Sequence, residues 1–192
     1  MAFRSIRAGF VGAVLACANP ALASNDRMAH ETKEIFALIV SEVEQEIGAK
    51  QRCRFDEDWG DETVPGDLAQ AELGAILRRS SGAGRRMRPA AIIRAERSGA
   101  FCALEEARKA LQEQLVAATH GDGQFPIVHM RFSFPLFDLR FRKAIVAFSM
   151  SERFVTGTDA ARTRNEYSGW AVVLTRTGST WRITNTQRLW VT

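Results

Sequence analysis

The chain is poor in several residue types that would have narrowed its chemistry. Its 192 residues hold one tyrosine, three histidines, three cysteines and five prolines. His30, His120 and His129 fall in no H-E-x-x-H or comparable ligand spacing, so no metal site is expected. There is no G-x-S-x-G elbow, nor an S-x-x-K with its companion motifs, which removes the common serine acyl-enzyme signatures. Gly82-Ala83-Gly84 and Gly121-Asp122-Gly123 are too short to cradle a phosphate. No cofactor fingerprint is present, and none is expected to bind. The cysteines form no C-x-x-C pair, which argues against a redox-active dithiol. No apolar run approaches the ~20 residues needed to span a bilayer. No internal repeat is visible.

Acidic residues are missing from the first 23 positions, and what stands there instead is informative. Arg4 and Arg7 precede a short apolar run, Phe10 to Ala16, and Ala21-Leu22-Ala23 supplies a small-x-small junction. That order reads as a signal peptide, residues 1–23, cleaved after Ala23. The expected destination is the periplasm or the exterior. Val14-Leu15-Ala16-Cys17 offers a competing lipobox-like site, through which the chain would be an envelope lipoprotein anchored at Cys17.

Cleavage after Ala23 would leave a single α+β domain, 24–192. Removing Arg4 and Arg7 from the 26 basic residues leaves 24 against 22 acidic ones, a net charge of +2. Near neutrality argues against a nucleic-acid partner. In an oxidising compartment the two remaining cysteines, Cys53 and Cys102, are expected to form a disulfide.

Helical periodicity comes first along the chain. Ile35, Phe36, Ile39, Val40, Val43 and Ile47 make one stripe over 29–47, opposite Glu34, Glu42, Glu44 and Glu46. An acidic loop from Asp56 to Glu62 follows. Asp67 is placed to cap a helix reaching Arg79, with Gln70 completing a capping box. A short helix can start at Pro89, and Phe101, Leu104, Leu111 and Leu115 mark another between Ser98 and Thr119.

Beyond Pro126 the period becomes two. Four strands are expected: Val128 to Phe134, Lys143 to Met150, Gly169 to Thr177 and Thr180 to Val191, the last two joined through Gly178-Ser179. The predicted fold is α+β, with N-terminal helices (24–121) packed on a C-terminal four-stranded antiparallel sheet (126–192) that can take a cone shape. The long polar connection Ser151 to Ser168 is read as a loop.

Ser133-Phe134-Pro135, Arg142-Lys143-Ala144-Ile145-Val146 and the hairpin Gly169-Trp170 to Leu174, Gly178, Trp181-Arg182-Ile183 carry a resemblance. Over about a third of the chain it resembles exported bacterial proteins of unknown function with a nuclear-transport-factor-2-like closing hairpin. The resemblance implies a sheet-and-helix domain and carries no catalytic residue across.

The candidate ligand-binding residues are His129, Arg131 and Ser133. At two-residue spacing they share one strand face and would present a base, a cation and a hydroxyl to a ligand. The same alternation also describes the wet side of an ordinary sheet. The acidic loop suits calcium less than solvent, because it lacks the alternating ligands and distal glutamate of an EF-hand. Arg78, Arg79, Arg85, Arg86, Arg88, Arg94 and Arg97 are read as balancing that loop across the Cys53–Cys102 segment rather than as gripping phosphate. The functional expectation is a non-catalytic binding or interaction domain of the periplasm or cell envelope. Its partner would be an acidic small molecule, a cell-wall fragment or a protein. The alternative is a small hydrolase-like enzyme with His129 as its base.

Overall fold

The computed structural model describes residues 20–47, 52–76, 88–92, 100–118, 127–155 and 163–192. Its elements run α1 (Pro20–Ile47), β1 (Phe55–Asp56), α2 (Gly66–Leu73), α3 (Pro89–Ile92), β2 (Phe101–Cys102), α4 (Leu104–Ala118), β3 (Ile127–Phe132), β4 (Leu136–Phe137), β5 (Lys143–Val155), β6 (Thr163–Thr177) and β7 (Thr180–Val191). Positions 1–19 of the predicted leader, Cys17 among them, lie outside the described residues. α1 itself passes through the Ala23–Ser24 junction.

α1 forms where the apolar stripe predicts it. Ile35, Phe36, Ile39 and Val40 are each at most 2% exposed, while Glu34 and Glu42 face solvent. The buried stripe also continues toward the N-terminus through Met28, Glu31 and Thr32. Against it packs one face of the sheet, the front, through Val128, Met130, Phe132, Val146, Phe148, Val172 and Leu174. Phe36 meets Phe132 edge-to-face at 5.1 Å and Trp59 at 5.3 Å between ring centroids. Each such side chain contributes about 1.5–3 kcal/mol on leaving water.

The α+β class holds, but the sheet is neither four-stranded nor purely antiparallel. It has seven strands in the order β2-β1-β3-β5-β6-β7, with β4 pairing β5 beside β3. β3, β5, β6 and β7 are the four strands read from alternation. β1 and β2 are two residues each and pair in parallel, β1 also lying parallel to β3. So short a strand shows no period. The Cys53–Cys102 disulfide is present, its Cα atoms 5.1 Å apart, and it sits just where β1 and β2 pair. Ala107 and Ala110 of α4 pack against it. Phe101, read as helical, therefore belongs to β2, and α4 begins only at Leu104.

Two further expectations are corrected. Ser151 to Ser168 is not a long loop, because β5 and β6 stay paired from Ser151↔Tyr167 out to Val155↔Thr163. α2 is shorter than predicted: Pro65 is its N-cap with no side-chain cap, Asp67 lies inside the first turn, and Gly74 ends the helix at φ +63°. A left-handed residue stops the helical hydrogen-bond ladder cheaply only if it is glycine. α2 packs on the sheet's back face, where Leu73 meets Ile145, Ala171 and Val173. Helices therefore cover both faces of the sheet. The glycine runs 82–84 and 121–123 lie outside the described residues.

Candidate functional site

The three residues predicted to share a strand face do not act together. Ser133 lies just past the end of β3 and is 1% exposed. Its backbone N–H donates to Ala147 O at 2.7 Å, and its Oγ accepts from Ala147 N–H at 3.0 Å. Where Pro135 offers no N–H and the chain leaves the ladder, the hydroxyl stands in for a backbone acceptor. Ser133 is thus consumed by the fold and is unavailable to a ligand.

His129 is half-buried on β3, and its Nε2 has no hydrogen-bond partner among the described residues. Burial pushes its pKa below the ordinary 6.5, the nearby Asp56 carboxylate opposes that shift, and Arg131 adds to it. The imidazole is consequently neutral at pH 7.

Arg131 does face a cleft. Its Nε lies 3.6 Å from Asp56 Oδ2, a carboxylate 6% exposed, while its own side chain is 40% exposed. The cleft, about 410 Å³, lies on the back face beyond the α2 contact, and Asp61, Glu62, Arg131, Gly169, Leu189 and Trp190 help to line it. His129 and Ser133 do not line it.

One wall is the acidic segment, which is a strap rather than a solvated loop. Asp58 N–H donates to Asp56 Oδ1 at 3.0 Å, Gly60 N–H donates to Phe132 O at 2.7 Å, and Trp59 meets Phe134 edge-to-face at 5.4 Å. Glu62 Oε1 accepts from Ser149 Oγ at 2.6 Å. Its carboxylate lies against Gly60, where a Cβ would fall 1.6 Å from Oε2. No group of three or more His, Cys, Asp or Glu side chains suited to a metal occurs among the described residues, and calcium finds no support in the strap.

The opposite wall is Trp190. It pairs with Gly169 across β6–β7, and its indole lies on the glycine backbone, 2.1 Å from where a Cβ would stand. Only a residue without a side chain lets the ring settle there. Trp190 remains 45% exposed.

Sequence reasoning found Arg131 but missed Trp190 and Gly169, and it saw Asp61 and Glu62 only as part of a charge run. Arg88 does balance the strap, contacting Glu57 at 3.5 Å and Asp58 at 3.2 Å. Arg78, Arg79, Arg85, Arg86, Arg94 and Arg97 lie outside the described residues, as does His120. His30 is an exposed residue 3.6 Å from Glu34. No described helix is long and apolar enough to cross a membrane. No family model matches the chain, and no curated protein or solved structure is significantly similar to it.

Proposed function

We propose that this chain is an exported, non-catalytic binding domain that holds a small polar ligand in the back-face cleft. One observation carries the reading: Arg131, Asp61, Glu62 and Trp190 converge from the strap and from strands β3 and β7 on a concavity of about 410 Å³. Small-molecule sites usually enclose about 300–1,000 Å³ and place a few polar groups around an aromatic or aliphatic wall. The supports are rigid, since every wall belongs to the sheet or is hydrogen-bonded to it. Export is supported by the leader-like N-terminus and by a disulfide suited to an oxidising compartment.

The charge around the cleft argues against an acidic ligand. Asp56, Asp61 and Glu62 outnumber Arg131, and Asp56 already engages the guanidinium. The rival hydrolase reading loses its geometric basis as well. A general base must reach the proton it removes, and His129 lines no part of the cleft.

The test uses protein labelled with 5-fluorotryptophan, in which the Trp190 fluorine signal is assigned by its loss in Trp190→Phe. Low-molecular-weight fragments of a digested cell envelope are added, and their masses are followed over time. A shifted Trp190 signal with every fragment unchanged is the expected result. Consumption of a fragment that stops in His129→Gln would establish the enzyme instead. A Trp190 signal that no fragment moves overturns the cleft as a binding site.

A further inference from the structure

The cleft's chemistry narrows the ligand class. We infer that it takes a neutral, hydroxyl-rich ring, a saccharide, lying against Trp190; this rests on the cleft being the binding site.

The argument begins with the aromatic wall. Trp190 is fixed to the sheet through its contact with Gly169, yet 45% of it stays exposed. An exposed tryptophan on an edge strand exposes apolar area that water solvates poorly. One edge of the ring is seated on β6 at Gly169, so the indole keeps its orientation without a ligand. An immobile flat apolar plate suits a partner with a flat apolar face of its own, such as the C–H face of a pyranose ring.

The polar groups decide what surrounds that face. Asp61 supplies exposed acceptors, Glu62 contributes at most its Oε1 because its Oε2 is buried against Gly60, and Arg131 supplies donors. A phosphate or carboxylate ligand would meet Asp61 and Glu62 with only Arg131 to offset them, and Asp56 sits 3.6 Å from the Arg131 Nε. An ammonium ligand would suit the carboxylates but would bring its charge toward Arg131. Hydroxyl groups satisfy both sets without carrying charge, since each can donate to a carboxylate and accept from a guanidinium. Acceptors, donors and a flat apolar wall in one concavity therefore describe a sugar better than either ion.

Ser149 strengthens the assignment. By holding Glu62 Oε1 at 2.6 Å it orients the carboxylate before any ligand arrives. A preorganised acceptor loses less freedom on binding.

The experiment titrates the 5-fluorotryptophan-labelled full chain separately with chitotetraose, maltotetraose, glucose 6-phosphate and choline. The expected result is a saturable shift of the Trp190 signal with at least one neutral oligosaccharide. Asp61→Asn, followed by the same signal, and Trp190→Ala, which lacks the reporter and is therefore titrated by calorimetry, should each weaken that binding by about tenfold, which corresponds to the loss of one good contact. Both substituted residues are exposed, and an unchanged melting temperature confirms that the fold persists. If only choline or glucose 6-phosphate moves the signal, the saccharide assignment is overturned while the cleft stands. If none of the four probes moves it at millimolar concentration, the saccharide assignment falls; the envelope-fragment experiment then decides the cleft separately.

Discussion

At the residue scale, the buried charges matter most, and Glu31 leads them. On a helix stripe otherwise apolar it is 1% exposed, accepting from Arg176 at 2.5 Å and from the Trp181 indole N–H at 2.8 Å. Arg27, one turn earlier, adds a contact at 3.5 Å. Helix α1 is thereby tied to both arms of the closing hairpin. Breaking a buried pair leaves its partner charged and unsatisfied, so Glu31→Gln should cost about 3 kcal/mol in urea unfolding. A loss under about 0.5 kcal/mol, the size expected at ordinary surface sites, would show that the cluster contributes nothing net. His129 gives a pH signature. Above pH 6.5 both folded and unfolded chains carry it neutral; as pH falls through 6.5 the unfolded chain gains a proton that the folded chain, its pKa lowered by burial, still refuses. Stability is lost across that interval and levels off once pH is below the lowered value. His129→Gln should remove this share of the loss, seen as a flatter melting-temperature profile below pH 6.5. An identical profile in both proteins would refute the burial argument.

At the scale of elements, what was legible depended on length. The stripe of α1 and the alternation of β3, β5, β6 and β7 each repeat often enough to declare their period; burial follows it in α1 and β3, whereas in β5 and β6 both faces are covered and consecutive residues are buried. Strands β1 and β2, at two residues, carry no period, and their presence follows from long-range pairing that local sequence does not encode. The cleft was illegible for a different reason. Counting evenly back from the Gly178-Ser179 turn puts Arg188 opposite Gly169. Register shifts at Val173/Leu174 and Gly169/Trp170 bring Trp190 there instead. Each shift turns the following residues to the other face. Thus Leu189 joins the back-face cluster, while Arg188 stacks over Trp170 at 4.8 Å. The disulfide supplies this scale's prediction. It links positions 49 apart and holds a ladder of only two residue pairs, with α4 beside it. Chain-entropy arguments assign such a loop about 4 kcal/mol. A Cys53→Ser, Cys102→Ser double variant should lose about that much, and limited proteolysis should cut first near β2 and α4. Cleavage that leaves β2 and α4 intact while attacking β7 would contradict the staple's local role.

On the scale of the whole molecule, the disulfide fits the proposed export to an oxidising compartment. The sheet is covered on its front by α1 and on its back by α2 and the strap, so its central strands need no help from sulfur chemistry. The β1–β2 margin differs: among the described residues, the cluster at the disulfide consists of Cys53, Cys102, Ala107 and Ala110, beside the Phe55–Phe101 contact. A ladder of two residue pairs offers few hydrogen bonds against local opening once the disulfide is reduced. On the proposed export, the β1–β2 margin would close only after the chain reaches an oxidising compartment. When residues 1–192 are expressed in a Gram-negative bacterium, the periplasmic fraction should contain a chain beginning at Ser24 with both remaining cysteines oxidised, as read by intact mass before and after alkylation. A species carrying diacylglycerol on Cys17 would relocate the domain to a membrane surface without changing its fold. Protein kept in the cytoplasm with its first 23 residues attached and its thiols free would overturn the export reading, and by the same logic its β2 and α4 segments should be the first digested.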